Sequence, residues 1–222
     1  MARLARLVIS GVPHYITQRG NRAQEVFLRE SDYRDYRSLM AEWCGRQKIE
    51  IWAYCLMPNH IHLIAVPPDP DALQNAIGEA HRRYTRLVNA REGWCGHLWQ
   101  GRFGSFPMDD RSLLEAARSI ELKPVRAGLA RSPGEYPWSS AAAHLAGADD
   151  GLTVVKPLLS RVDSWGGFLR QKCDEESDTR FQRHANTGKP LGSDEFIRRL
   201  ELQTGRQLFP KKPGRKRKET AD

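Results

Sequence analysis

The sequence has few cysteines and lacks any long apolar run. Its cysteines, Cys44, Cys55, Cys95 and Cys173, are far apart and form no Cys-x-x-Cys pair. We therefore expect reduced thiols, with neither a disulfide framework nor a zinc knuckle. No stretch approaches the ~18 apolar residues of a membrane-spanning helix, and the first residues are not typical of a signal peptide. These absences predict a cytoplasmic protein with no membrane partner.

Positive charge is what the sequence has in excess. Its 222 residues include 35 Lys and Arg against 27 Asp and Glu, which gives a formal net charge of +8. Such an excess suits a polyanionic partner, but by itself it does not separate DNA from RNA or an anionic membrane. Half of it lies in residues 211–222, which we expect to form a disordered basic tail. The basic residues of this tail are Lys211, Lys212, Arg215, Lys216, Arg217 and Lys218.

Hydrophobic periodicity predicts an α+β fold for the first part of the chain. The expected strands span residues 7–18, 49–56, 60–66 and 96–108. The expected helices span residues 31–47, 71–91 and 110–122, with Ser31 capping the first and Pro124 stopping the last. The resulting order, β-α-β-β-α-β followed by a helix, matches a ferredoxin-like antiparallel sheet.

The composition changes after Trp138, which suggests a second region. Residues 141–151 are small and acidic and predict a loop, and short helical patterns follow at 156–162 and 193–204. We therefore divide the chain into a domain of residues 1–140, a helical C-terminal extension of residues 141–210 and the basic tail.

A His-Ile-His sequence in the predicted hairpin is the main candidate for chemistry. Side chains two positions apart on a strand point to one face, so His60 and His62 converge while Ile61 enters the core. Two such imidazoles can hold a divalent ion and leave coordination positions open for a phosphate. The alternative is a chance alternation on a half-exposed strand. The turn at Pro58-Asn59 and the apolar opposite face favour the metal site.

The segment CLMPNHIHLI, residues 55–64, resembles the HUH motif (His, hydrophobic, His) of the REP-associated tyrosine transposases. The resemblance continues in ITQRGN (16–21), HRRYTRLVN (81–89), GHLWQGRF (96–103), ELKPVRAGLA (121–130), YPWSS (136–140) and KPLGSDEF (189–196). It implies a ferredoxin-like HUH domain for DNA transposition and recombination, in which the two histidines bind Mg or Mn. It also implies a helix tyrosine that attacks a DNA phosphate, and single-stranded ends or hairpin DNA as substrates.

The third helix departs from the family pattern Arg-Tyr-Ile-x-x-Asn-Pro-Val-Arg at two positions. Ser119 stands at the tyrosine position and Lys123 at the asparagine position. The two positions share one helix face, which in the family carries the nucleophile and a third, amide-type metal ligand. A serine needs an adjacent general base, which a lysine cation does not supply. Lys123 would repel a metal ion or replace part of its charge near the phosphate. We expect a DNA-binding protein impaired in tyrosine-mediated cleavage.

Two other nucleophiles keep an enzymatic function open. Tyr84 on the second helix could substitute for the missing tyrosine, although packing or base stacking is its alternative role. Ser119 could itself act as a poor nucleophile. The alternative function is thus an active metal-dependent single-strand DNA nickase or strand transferase. A small metal hydrolase has less support, because no carboxylate base lies near the histidine pair in the sequence.

Basic and aromatic residues near the motif are the expected DNA contacts. They are Arg19, Asn21, Arg82, Arg83, Arg86, Trp99 and Arg102. The three arginines of the second helix suit phosphate contact, with a solvated helix face as the alternative. Aromatic side chains among basic ones suit stacking on unpaired bases, although Trp99 is equally expected in the core. The tail is expected to attract phosphates without sequence preference. The sequence leaves monomer and homodimer open.

Overall fold

The computed structural model describes residues 6–171 and 176–209, and these residues contain a four-stranded antiparallel sheet. Its strands are β1 (His14–Arg19), β2 (Glu50–Met57), β3 (His60–Val66) and β4 (Gly104–Pro107). The strand order β2-β3-β1-β4 places the β2–β3 hairpin beside β1. This is the order of a ferredoxin-like split β-α-β fold, so the predicted fold class is confirmed.

The described residues also form α-helices on both sides of this sheet. These are α1 (Glu30–Arg46), α2 (Ala72–Glu92), α3 (Asp110–Arg126), α4 (Ala141–Ala146), α5 (Lys156–Leu159), α6 (Trp165–Arg170), α7 (Ser177–Thr187) and α8 (Asp194–Thr204). Within the described parts of the chain, no helix is both long enough and apolar enough to cross a bilayer.

Strand alternation gives the sheet two different faces. Ile61 and Leu63 of β3 pack with α1 and α2 in one hydrophobic core. Ile64 lies on the other face, where a second core includes Ile120 of α3 and Phe181 of α7. Because the side chains of a strand alternate, His60 and His62 share the face of Ile64. Helices α5, α6 and α7 thus contribute to the core on the face that holds the histidine pair, whereas α8 packs on Leu7 and Ile9 in a third core.

Two predicted helix signals are wrong. Ser31 does not cap α1, which begins at Glu30; instead the Asp32 carboxylate accepts the backbone N–H groups of Leu28 and Arg29. Pro124 does not end α3, which continues to Arg126. A proline removes its own N–H from the helix and crowds the carbonyl four residues earlier, but Pro124 is buried near the last turn of α3, where packing overrides this cost.

Other predicted boundaries also change. The strand expected at 7–18 is confined to His14–Arg19, and the one expected at 96–108 to Gly104–Pro107. The expected loop at 141–151 begins with α4, and the sequence patterns missed α6 and α7. The first position of β4 leaves no room for a side chain, because a Cβ on Gly104 would lie 2.9 Å from the carbonyl oxygen of Ala185 in α7.

A buried carboxylate joins α3 to the helices that follow it. Glu121 is fully buried and accepts hydrogen bonds from Ser140 Oγ at 2.5 Å, His144 Nδ1 at 2.6 Å and Trp165 Nε1 at 2.7 Å. The His144 ring also stacks on Trp165, with centroids 4.4 Å apart. One side chain therefore accepts from three donors in two segments, α4 with its N-cap Ser140 and α6.

We expect Glu121→Ala to lower the free energy of unfolding by about 3 kcal/mol or more, because each buried donor left without an acceptor costs about 1–3 kcal/mol. Urea denaturation followed by circular dichroism measures this loss. Glu25 is exposed, and Glu25→Ala is the matched control, with an expected change within about 0.5 kcal/mol. Equal stability of the two variants would contradict a structural role for Glu121.

Candidate nucleic-acid interface

A cavity of about 1270 Å³ opens beside the histidine pair, on the face of the sheet that α3 and α7 cover. Strands β1, β3 and β4 form its floor, and residues of α3, α7 and the segment after α8 line its walls. Among the described residues that line it, the single carboxylate is that of Asp178, against six cations. The cations are Arg6, Arg19, Arg102, Lys123, Lys189 and Arg206. A concave surface with one sign of charge concentrates ligands of the opposite sign.

The two histidines converge as the strand pattern predicts. Their ring centroids are 5.0 Å apart and their planes are nearly perpendicular, at 83°. On the neighbouring strand, Arg19 lies opposite His60 and Thr17 opposite His62. All four side chains therefore line the same cavity.

Neighbouring groups hold both rings in place. His60 Nδ1 lies 2.6 Å from Asn59 Oδ1, and Asn59 Nδ2 donates to the carbonyl of Ala23 at 3.2 Å. The second contact assigns the amide oxygen to the side of His60, so His60 Nδ1 carries the proton and Nε2 keeps its lone pair. The Tyr15 hydroxyl lies 2.8 Å from His62 Nδ1. Metal-binding histidines commonly have such outer partners.

Both imidazoles are neutral near pH 7. Burial, followed by the charges of Lys123 and Arg19, lowers the pKa of His60 to about 4. Burial, followed by the charge of Lys123, holds the pKa of His62 well below its ordinary value. The ammonium of Lys123 therefore acts on both rings, as expected for a cation that lines the same cavity.

Asp178 of α7 binds the side chains at both positions where α3 departs from the family pattern. Ser119 Oγ donates to Asp178 Oδ1 at 2.6 Å, and Lys123 Nζ donates to the same oxygen at 3.0 Å. Arg126 Nη2 lies 3.2 Å from Asp178 Oδ2 and donates to the Ser119 carbonyl at 2.8 Å. Burial opposes ionisation of Asp178, but Lys123, Ser119 and Arg126 together lower the pKa of its carboxyl.

This cluster leaves Ser119 poorly placed for attack on a phosphate. The residue is fully buried and is not among the described residues that line the cavity. Its hydroxyl proton already points to a carboxylate that two cations share. A carboxylate with a lowered pKa is a weak general base. The geometry therefore supplies Ser119 with a hydrogen-bond partner but with little activation.

The donor set around the histidines fits a divalent ion poorly. In the described parts of the chain, no three His, Cys, Asp or Glu side chains come together at a point where they could hold a metal. Where the family resemblance expects an amide oxygen, this chain has the Lys123 ammonium, which repels a cation. The nearby carboxylate of Asp178 is already bound by Lys123 and Arg126. Binding of Mg or Mn by His60 and His62 stays a prediction of the sequence.

The other predicted contacts divide between the cavity and the opposite side of the sheet. Arg19 and Arg102 are exposed and line the cavity. Asn21 is half-buried in a short 3-10 turn just after β1. Arg82 and Arg83 lie on α2, where both pair with Glu79. Arg86 is exposed on the same helix, while the predicted contacts of the basic tail lie outside the described residues.

Two aromatic candidates lie in the core between the sheet and helices α1 and α2. Trp99 is 7% exposed and stacks on His81, with ring centroids 4.6 Å apart. Tyr84 is fully buried, and its hydroxyl donates to the carbonyl of Val26 at 2.6 Å. Both positions agree with the packing alternatives and place the rings away from the histidine pair.

Sequence reasoning missed Tyr15 and Asp178. Tyr15 could have been found, because it shares a face of β1 with Thr17 and Arg19 at strand spacing. Asp178 gave no local signal, since 55 residues separate it from Lys123.

Comparisons with known proteins agree with this fold. The profile of a family described as "Transposase IS200 like" matches residues 11–121. A Haemophilus influenzae protein named as a REP-associated tyrosine transposase is 27% identical over an alignment of 122 residues, and the match covers 50% of this chain and 69% of that protein. A solved structure of a REP-associated tyrosine transposase bound to a REP hairpin matches with a TM-score of 0.53 at 20% identity. That match covers 69% of this chain and 92% of the solved chain, and it shows a common fold.

The buried histidines predict that stability falls between pH 6.5 and 4. Burial lowers the pKa of His14 and His60 to about 4 and that of His81 to about 3. In this window the unfolded chain, whose histidines titrate near ~6.5, binds protons that the folded chain does not bind. The free energy of unfolding therefore rises with pH, and each such histidine contributes up to about 2 kcal/mol between pH 5 and pH 7.

Urea denaturation at pH 5 and pH 7 measures this dependence. We expect His81→Phe to reduce the difference between the two stabilities, whereas the same change at the exposed His97 should leave it unaltered. A wild-type stability that is equal at both pH values would contradict the neutral, buried state of these rings.

Proposed function

This chain belongs to the IS200-like transposase family, and we propose that it is a DNA-binding protein of the REP-associated kind, impaired in tyrosine-mediated cleavage. The ligand we propose is single-stranded or hairpin DNA, held in the cavity beside the histidine pair. The observation on which the proposal rests is the burial and hydrogen bonding of Ser119. At the position of the family's tyrosine, this side chain is buried and hydrogen-bonded to Asp178, next to a cationic cavity.

The size and charge of the cavity support a nucleic-acid ligand. Its volume of about 1270 Å³ exceeds the ~300–1,000 Å³ of a typical small-molecule pocket. Its cationic lining suits a phosphate backbone. The exposed Arg19 and Arg102 lie where they could contact phosphates or the edges of unpaired bases. The solved relative with a matching fold was bound to a REP hairpin, and unpaired bases are the readable part of such DNA.

Neither Tyr84 nor Tyr15 is suited to replace the missing nucleophile. Tyr84 donates its hydroxyl to a backbone carbonyl inside the core. Tyr15 lies beside His62, but burial raises the pKa of its hydroxyl well above the ordinary value. A phenol that resists deprotonation is a poor nucleophile. The proposal therefore assigns Tyr15 to positioning of His62.

The alternative function is a metal-dependent single-strand nickase or strand transferase with a displaced nucleophile. The observation that favours it is the hydrogen bond from His60 to Asn59, which leaves His60 Nε2 with a free lone pair. In this alternative, His60 and His62 would bind Mg or Mn, as the family resemblance implies. The missing third ligand and the charge of Lys123 weigh against it.

Labelled hairpin oligonucleotides separate the two functions. The full chain is incubated with 5′-labelled and 3′-labelled hairpins in Mn²⁺, and the products are separated on a denaturing gel. We expect binding in a native gel but neither cleavage nor a covalent protein–DNA adduct, because Ser119 is buried and weakly activated. An adduct formed by the unaltered chain would contradict the proposal and support the nickase.

The double substitution Ser119→Tyr, Lys123→Asn restores the residues that the family pattern expects, and we expect it to form an adduct. Because Asp178 contacts Ser119 Oγ, adding Asp178→Ala should free space for the new ring and raise the yield of adduct. The same Ser119→Tyr change without Lys123→Asn is the matched control. Inactivity of every restored variant, despite retained DNA binding, would show that more of the cleavage site has been lost than these positions.

A further inference from the structure

Lys123 places a positive charge at the inner end of the cavity. Its side chain is only 11% exposed, and it lines the cavity together with His60 and His62. Together with the exposed Arg19 opposite His60, Lys123 gives the cavity its positive charge beside the histidine pair.

The cluster around Lys123 has an excess of cations. Lys123 and Arg126 share the single carboxylate of Asp178. Two positive charges against one negative charge leave a net charge of about +1, which favours the approach of a further anion. The side chain of Asp178 is 43% exposed, so the cluster is open to the cavity on the side of the carboxylate.

We propose that Lys123 binds a DNA phosphate directly and without a metal ion, so that the ammonium replaces the charge that a divalent ion would supply beside the histidine pair. The inference rests on the proposed DNA binding and names the group that binds the backbone. An ammonium has three donors, of which the pairing with Asp178 uses one. Lysine is an established binder of phosphate groups as a point charge.

Asp178 then acts as a competitor of the phosphate. In the free protein its Oδ1 accepts from Lys123 Nζ at 3.0 Å. A phosphate oxygen that approaches Lys123 meets the repulsion of this carboxylate. Removal of the negative charge at Asp178 should strengthen DNA binding, and removal of the positive charge at Lys123 should weaken it. Opposite changes in the Kd for DNA at two residues in contact distinguish a phosphate site from an ion pair that only stabilises the fold. Loss of either partner of such a pair would change the Kd in the same direction.

Fluorescence anisotropy tests the proposal with the full chain, a labelled hairpin and an unstructured oligothymidylate. Titrations in EDTA and in Mg²⁺ are compared at matched ionic strength, because salt alone changes such affinities. We expect the unaltered chain to bind with similar Kd in both. Lys123→Gln should raise the Kd about tenfold or more, as expected for loss of a charge-assisted hydrogen bond.

The variants include their own controls. Lys156 is exposed on α5 and does not line the cavity, so Lys156→Gln makes the same charge change and should leave the Kd nearly unaltered. Lys123→Arg keeps the charge and should bind far better than Lys123→Gln. Asp178→Asn should lower the Kd several-fold. Thermal melting of each variant shows that the measured differences come from folded protein.

The outcomes separate this inference from the proposed function. Binding that EDTA abolishes and Mg²⁺ restores would overturn the metal-free site and leave DNA binding standing. Equal affinities of Lys123→Gln and Lys156→Gln would overturn it as well. Failure of the unaltered chain to bind either oligonucleotide would overturn both claims. Binding of oligothymidylate that depends on Lys123, without preference for the hairpin, would support the phosphate site and contradict hairpin recognition.

Discussion

The bonding of the Asp178 carboxylate to α3 is the interaction on which the rest of the site depends. It holds Ser119 and Lys123 together and joins α7 to α3. The close approach of α7 to β4 at Gly104 completes this wall. As a result, α3 and α7 cover part of the sheet face that carries the histidines, and Asp178 is the single carboxylate among the described residues that line the cavity. The same contact keeps the serine hydroxyl away from the cavity.

Compared with the cleavage centre that the family resemblance implies, the site agrees in some parts and differs in others. The histidine pair is present, and Asn59 and Tyr15 hold the two rings. The nucleophile position is occupied by a buried hydroxyl, and the position expected to supply a third ligand is occupied by a cation. A cavity with this cationic lining can attract a phosphate backbone. The DNA binding and the impaired cleavage that we propose would both follow from Ser119 and Lys123 at these two positions.

Sequence periodicity was enough to predict what depends on neighbours along the chain. Side chains two residues apart on a strand point to one face, which placed His60 and His62 together. Side chains four residues apart on a helix also share a face, which placed Ser119 beside Lys123. It was not enough for contacts between distant segments. The approach of Asp178 to α3 depends on tertiary packing, because α7 follows α3 only after several short helices. The basic residues of α2 were predicted near the motif but lie on the other side of the sheet, since helical spacing does not say which face of a sheet a helix covers.

A crystal structure of the complex with hairpin DNA, grown in the presence of Mn²⁺, shows whether Lys123 or a metal ion binds the phosphate beside the histidine pair. Manganese gives an anomalous signal that identifies its position independently of the phosphate. We expect a phosphate oxygen within hydrogen-bond distance of Lys123 Nζ and no manganese peak between the histidine rings. A manganese ion bound by His60 and His62 and bridging to the phosphate would contradict this expectation.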